Sequence, residues 1–366
     1  MTLSLYIARR FGQAFLIVIG AFWGVLFLIE MVEQIRRLDP ARGALTDAAL
    51  LAVLYVPSTL YTIFPLVVML SAVVAFLGLA RSSELVVIRA AGRSALRMLV
   101  APVIAAALIG VALVAVGSPI VSATSQRAEE LAGQMRAEGR QTVSVGREGL
   151  WMRQGTADGG QAVIHALRGN AEATALYDVT FLLFDAKAGP VRRIDATSAW
   201  LTPGAWVLSD AKDWPLGRST NPERDATRAP TISLPSTLTA ESIADSFGAP
   251  SEMPIWELPG FIRALEAAGF SARRHIVWLQ VELAQPLMLA AMVLMAAGFT
   301  MRPARFGGTG GRVMLALLVG LALFFLRNVA QVLGDNGQIP AALAAWAPPA
   351  IALMLALTLV LQQEEG

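Results

Sequence analysis

Cysteine is absent from all 366 residues, which excludes disulfide frameworks, thiolate metal sites and thiol nucleophiles. Two histidines, His165 and His275, are too few for a multi-histidine metal centre. Lysine occurs only at Lys187 and Lys212. The glycine cluster Gly307-Gly308-Thr309-Gly310-Gly311 therefore lacks the lysine that would reach nucleotide phosphates, and reads as a flexible turn. Charge of either sign is scarce at 15% of residues, against about a quarter in soluble domains. A net charge of +2 offers no dense basic surface for nucleic acid.

What is present is apolar residues, 55% of the chain, gathered into runs. Phe11–Ile29, Ala48–Ala80, Met98–Gln126, Leu283–Met301 and Ile339–Gln363 carry no charge, and Val313–Leu326 continues past Arg327 to Leu333. A membrane helix needs about 20 mostly apolar residues, so each run is long enough to cross once, and the two longest include interfacial ends. Phe11–Ile29 exceeds the apolar core of a signal peptide, and no small-residue cleavage site follows it. These are six transmembrane helices: three in residues 1–126 and three in residues 276–366.

Between them, residues 127–275 have the composition of a soluble domain, with 16 basic and 18 acidic residues. Seven short β-forming segments follow one another: Gln141–Val145, Leu150–Arg153, Ala162–Leu167, Leu176–Phe184, Val191–Trp200, Ala205–Ser209 and Thr231–Leu234. Turn residues separate them at Asp158–Gly160, Gly189–Pro190, Pro203–Gly204 and Asn221–Pro222. This spacing predicts an all-β sandwich or jelly-roll-like domain. A helical stretch over Pro254–Arg274 leads back to the membrane.

Orientation follows from the short loops. With the N-terminus inside, the cytoplasmic segments hold nine arginines (9, 10, 81, 89, 93, 97, 302, 305 and 312). The short outer loops hold three: Arg36, Arg37 and Arg42. The positive-inside bias predicts both termini in the cytoplasm and the β domain outside.

The segment Leu79-Ala80-Arg81-Ser82-Ser83-Glu84-Leu85-Val86-Val87-Ile88-Arg89-Ala90-Ala91-Gly92 sits on the first inner loop. Ser82 or Ser83 suits a helix N-cap, Glu84 suits the first turn, and Gly92 suits the end, so a short helix is expected over about 82–92. Four contiguous aliphatics on a cytoplasmic loop, with Leu85 and Ile88 on one face, read as a docking element for a partner. Two charges lie within or beside the membrane runs. Counted at about 1.5 Å per residue from the inner ends, Glu282 lies about 28 Å up the fourth span and Arg327 about 22 Å up the fifth. Intramembrane charges are costly and are paired or functional, so these two either pair or line a cavity.

The motif S-E-L-V-V-x-x-x-A-x-G, within six spans split by a β domain, resembles the LptF/LptG family of lipopolysaccharide-export ABC transporter permeases. The resemblance extends over Gln34-Ile35-Arg36-Arg37, Gly149-Leu150-Trp151-Met152-Arg153, Gln285-Pro286-Leu287 and the run from Gly337 to Pro348. The fourth span and the Met301–Gly308 loop are more similar to the LptG branch. The resemblance implies a permease that takes lipopolysaccharide from the outer leaflet of the Gram-negative inner membrane to a periplasmic bridge. It implies a related six-span permease (LptF-like), a cytoplasmic ATPase dimer (LptB-like) holding ATP and Mg, and jelly-roll bridge proteins (LptC- and LptA-like). No cofactor or metal is expected on this chain itself. By the same match Glu84 would contact the ATPase, with Leu85 and Ile88 seating the helix.

Arginine recognises lipid phosphates through a planar donor fork, which points to Arg36, Arg37 and, less directly, Arg42 at the outer interface. Arg327 and Glu282 are the remaining substrate-site candidates, at a phosphate or along the cavity. Glu30 departs from the family pattern, standing where some members carry lysine. Two other readings stay open on residues alone: a membrane-anchored envelope enzyme, or an adaptor presenting its β domain to the periplasm.

Overall fold

The computed structural model describes residues 2–37, 45–82, 84, 94–136, 143–146, 149–155, 160–171, 174–185, 189–217, 219–236, 238–239, 243, 248–301 and 309–365. It divides into two compact units. One comprises Met1–Arg136, Ser251–Ile255 and Ile276–Gly366; the other comprises Ala137–Pro250 and Trp256–His275.

The first unit is helical. Its helices are α1 (Thr2–Arg37), α2 (Leu45–Thr62), α3 (Phe64–Arg81), α4 (Ala95–Ala112) and α5 (Ser118–Arg136). A π-turn over Leu113–Gly117 joins α4 to α5. After the second unit come α7 (Arg273–Thr300), α8 (Thr309–Asp335) and α9 (Ala341–Glu365). Among the described residues, seven helical stretches are long and apolar enough to cross a membrane, where the sequence pattern suggests six. The extra one arises because the run Ala48–Ala80 is two helices. Pro65, in the first turn of α3, has no N–H to continue the ladder, and Ile63 leaves helical geometry at φ −91°, ψ 5°. Both halves pack along α1 and barely touch each other, so the break is a bend in one path and not a hairpin.

The centre of this unit is α7. Of its most apolar stretch 78% is buried, against 11% for α1. Leu289, Ala291, Met292, Val293, Met295, Ala296 and Ala297 pack against α3, α4 and α9 within one continuous apolar core. An apolar sequence all round the helix suits both situations, since lipid accepts the outer face. Gly110 of α4 crosses α7 so closely that a Cβ there would lie 2.6 Å from Pro286 Cα, a backbone approach that only glycine permits.

The second unit is a seven-stranded antiparallel sheet: β1 (Val143–Gly146), β2 (Gly149–Gly155), β3 (Gln161–Gly169), β4 (Ala175–Asp185), β5 (Gly189–Thr202), β6 (Ala205–Pro215) and β7 (Thr227–Pro235). Each strand overlaps one of the seven expected segments. The sheet order is β1 to β7 in sequence, a meander, with no Greek-key crossing among the described residues. Leu150, Ile164, Phe181, Ile194, Trp206 and Leu208 form the buried face, with Phe181 edge-on to Trp206 at 6.1 Å.

A crease crosses β3 to β7 at Leu167, Asp178, Thr197, Asp210 and Pro230, the positions the paired registers skip. Asp178 and Asp210 adopt φ of +53° and +51° there. The inward phase changes at the crease: in β6 Trp206 and Leu208 point in on one side, and Ala211 does on the other. In an unbroken strand that shift would turn the apolar set outward. A residue in the left-handed region restores it, and aspartate tolerates that conformation better than most.

The amphipathic helix α6 (Leu258–Ala267) packs Leu258, Ile262 and Leu265 inward and ends in a Schellman cap. Gly269 sits at φ +81°, its N–H bonding Glu266 O while Phe270 N–H bonds Leu265 O. The Phe270 ring then covers Gly169, where any side chain would collide with it. The expected helix over Pro254–Arg274 is thus two pieces, α6 and the start of α7.

Candidate functional site

Three polar clusters interrupt the apolar helical unit, and a tyrosine stands in each. The chain has four tyrosines. The three in helices, Tyr6, Tyr55 and Tyr61, each donate the hydroxyl to a glutamate on another element: Glu84, Glu129 and Glu282. An aromatic ring that packs among apolar neighbours while its hydroxyl seeks an acceptor is suited to tying helices together in this way.

The first cluster lies at the N-terminal end of α1. Tyr6 donates to Glu84 Oε2 at 2.9 Å and accepts from Arg10 Nε at 3.0 Å, one helical turn on. The Arg10 guanidinium also lies over the Tyr6 ring, 5.4 Å from its centroid. Ser82, at the C-terminal cap of α3, approaches Glu84 Oε1 at 2.9 Å. Its single proton has carbonyl acceptors too, Gly78 at 3.2 Å and Leu79 at 3.3 Å, but the charge-assisted bond to carboxylate is the stronger. Both Glu84 oxygens are thus held within the chain. A groove of about 300 Å³ between α1 and α3 runs beside the cluster, lined by Gln13, Ile17, Val74 and Gly78 among others. Leu85 and Ile88 lie outside the described residues.

The second cluster is at the opposite end of α1. About 45 Å separates Tyr6 from Arg36 along the helix axis at 1.5 Å per residue. Arg37 Nε donates to Glu33 Oε1 at 2.8 Å, and Arg36 Nη1 lies 3.9 Å from Glu33 Oε2. Both arginine side chains are exposed. Glu30, the departure from the family pattern, accepts from Thr59 of α2 at 3.0 Å and is thereby turned to helix packing. Tyr55 donates to Glu129 at 3.2 Å, joining α2 to α5. Arg42 lies outside the described residues.

The third cluster is inside the bundle. Glu282 is fully buried, Gln285 1% exposed, and Tyr61 and Arg327 each 7%. Tyr61 donates to Glu282 Oε2. The other carboxylate oxygen and both polar atoms of the Gln285 amide have no hydrogen-bond partner. Arg327 acts on Glu282 and Tyr61 through its charge without hydrogen-bonding that second oxygen. Pro286, one residue beyond Gln285, has no N–H for the Glu282 carbonyl four residues back, so α7 is opened where its charge sits. On the α5 side Gly117, the last residue of the π-turn, leaves room beside the Tyr61 ring.

Residues 5–362 match the family model of the lipopolysaccharide export system permease LptF/LptG. The chain belongs to that family. It is 24% identical over 372 residues to the lipopolysaccharide export system permease protein LptG of Escherichia coli (strain K12), covering 99% of this chain and 98% of the relative. The LptG protein of Haemophilus influenzae is 24% identical over 369 residues, covering 97% and 96%. The chain is therefore a permease subunit of lipopolysaccharide export, and its work is transport.

Of the residues singled out in the permease sequence, the structure brings Glu282 and Arg327 into one buried cluster. It places Arg36 and Arg37 side by side on an exposed end, and sets Glu84 at the other end of the same helix. Tyr6, Tyr61, Gln285 and Glu33 were not expected from sequence. Glu33–Arg37 has the i, i+4 spacing of a helical ion pair and was readable. Tyr6 and Glu84 are 78 residues apart, and no local spacing announces their bond.

Proposed function

We propose that this permease takes lipopolysaccharide from the outer leaflet of the inner membrane and passes it to a periplasmic bridge, with both termini cytoplasmic and the β domain periplasmic. The observation that carries this reading is the layout of α1, an uninterrupted helix with the Glu84 cluster at one end and the exposed Arg36–Arg37 pair at the other. In this reading a related permease completes the lipid path, and a cytoplasmic ATPase dimer binding ATP and Mg docks on Glu84, Leu85 and Ile88. Jelly-roll proteins receive the lipid next to the β domain.

Arg36, Arg37 and Arg42 are the phosphate contacts of this reading. A lipid phosphate competes with Glu33 for the Arg37 fork, and Arg guanidinium binds either anion bidentately. Glu282 and Arg327, deep in the bundle and of opposite charge, act in this reading as an internal brace that keeps α2, α7 and α8 in register. The test is reconstitution of the full transporter in proteoliposomes with an acceptor bridge protein. Arg36→Ala with Arg37→Ala should lower lipopolysaccharide release several-fold, and Glu84→Arg should release the ATPase on purification. Full release from the double arginine variant would remove that pair from the lipid path.

A further inference from the structure

Glu84 is tied in two directions at once. Ser82 holds Oε1 from within its own segment, whereas Tyr6 holds Oε2 from α1. A carboxylate offers about four acceptor sites, so two remain for a partner's donors after both ties are made. The Tyr6 tie is itself braced: Arg10 donates to the same hydroxyl and stacks over the ring, fixing where the phenol points. Beyond Arg10, α1 continues without a proline or a break to Arg37. One side of it packs along α2, α3 and α4, and the other is open: a Cβ added at Gly12, Gly20 or Gly24 would meet nothing within 4 Å. A continuous helix of this kind transmits a pull at one end along its whole length, and Ile7, Phe11 and Ala14 seat the Tyr6 end in the core beside α3.

We propose that Tyr6 is the mechanical link between the ATPase-docking segment and α1. When the segment moves, the Tyr6–Glu84 bond carries α1 with it, and the Arg36–Arg37 end about 45 Å away responds. Ser82 has a different task, orienting the carboxylate toward its partner. The inference rests on the reading that Glu84 docks the ATPase, and it adds the element that receives the motion. Tyr6 is on this account a positioning residue, acting through Glu84 and touching no lipid.

The chain has no cysteine, so a single Ile35→Cys change on the exposed side of α1 accepts one spin label at the far end of the helix. In the complete transporter, label mobility is compared with and without ATP and vanadate, alongside lipopolysaccharide released per ATP hydrolysed. Tyr6→Phe removes one hydroxyl and leaves the ring. The expected result is an ATPase that stays bound and hydrolyses ATP, a label response that disappears, and a release ratio lower by about fivefold, the effect of one solvent-exposed hydrogen bond. Ser82→Ala should preserve the label response. An unchanged response and ratio in Tyr6→Phe would overturn the proposal, as would equal loss in Ser82→Ala. Release of the ATPase by Tyr6→Phe would also overturn it, since Tyr6 would then serve docking alone. Retention of the ATPase by Glu84→Arg is a separate outcome, which defeats the docking reading whatever Tyr6→Phe does.

Discussion

Removing the Tyr61 hydroxyl takes away the hydrogen bond of a buried carboxyl, and the cost can be worked from the structure. Glu282 has no exposed surface, its Oε1 has no hydrogen-bond partner, and Tyr61 supplies the bond on Oε2. A hydrogen bond to a charged group contributes about 1.5–3 kcal/mol. Tyr61→Phe should therefore destabilise the helical unit by about 2–3 kcal/mol, a folded-to-unfolded ratio lower by roughly 30- to 150-fold. Replacing the carboxylate as well takes away the group that needed the bond. Tyr61→Phe combined with Glu282→Leu should then cost clearly less than the two single changes added together, with a coupling of about 1.5–3 kcal/mol. The assay is reversible unfolding in mixed micelles of increasing denaturing-detergent fraction, read by helical circular dichroism for all four members of the cycle. Additivity within about 0.5 kcal/mol would refute the reasoning, because it would mean the hydroxyl and carboxylate do not depend on each other.

Three further outcomes follow from other parts of the structure. Gly110→Ala places a methyl 2.6 Å from Pro286 Cα and should cost about 1–3 kcal/mol in the same assay, whereas Gly24→Ala, with nothing within 4 Å, should not destabilise. In the β domain Asp210 holds φ +51°, so Asp210→Gly should be tolerated and Asp210→Val should cost about 1–2 kcal/mol by thermal melting followed through tryptophan fluorescence. Glu223 accepts from Lys212 and from Trp214 Nε1, and these bonds hold its carboxyl below the usual glutamate value of 4.5. Its contribution is present above that value and is lost as pH falls through the lowered one, so an acid titration of the β domain from about pH 5 to 3 should lose stability less steeply in Glu223→Gln.

The large features were legible because each rests on a local pattern. Apolar runs marked the long helices, with two of them merged into one run, and alternation between turn residues marked all seven strands. The bend at Ile63 was missed because an apolar run conceals a backbone break, and Pro65 at a first-turn position is tolerated in helices generally. The crease in the sheet was missed for a related reason. Asp178 and Asp210 look like ordinary solvent-facing strand residues, and only their dihedral angles reveal that the inward phase changes there. Charges within or beside apolar runs exposed Glu282 and Arg327 directly, whereas the hydroxyl partner of Glu282 did not stand out, since tyrosine is common near membrane surfaces. The three helical tyrosines become a set only when each is seen facing a glutamate distant in sequence.

The consecutive order of β1 to β7 has a consequence for how the chain is made. Every strand finds its partner in the segment synthesised just before it, so pairing needs no closure of a long loop and no waiting for later residues. Short-range pairing of this kind is fast relative to sheets built from distant strands. Each new strand also covers the open edge left by the last, so that only the outer edge of β1 and the newest strand's edge are exposed at any time. The sheet can therefore grow hairpin by hairpin while α7, α8 and α9 are still unsynthesised, and a stalled or truncated chain ending after Pro235 should already hold a paired sheet.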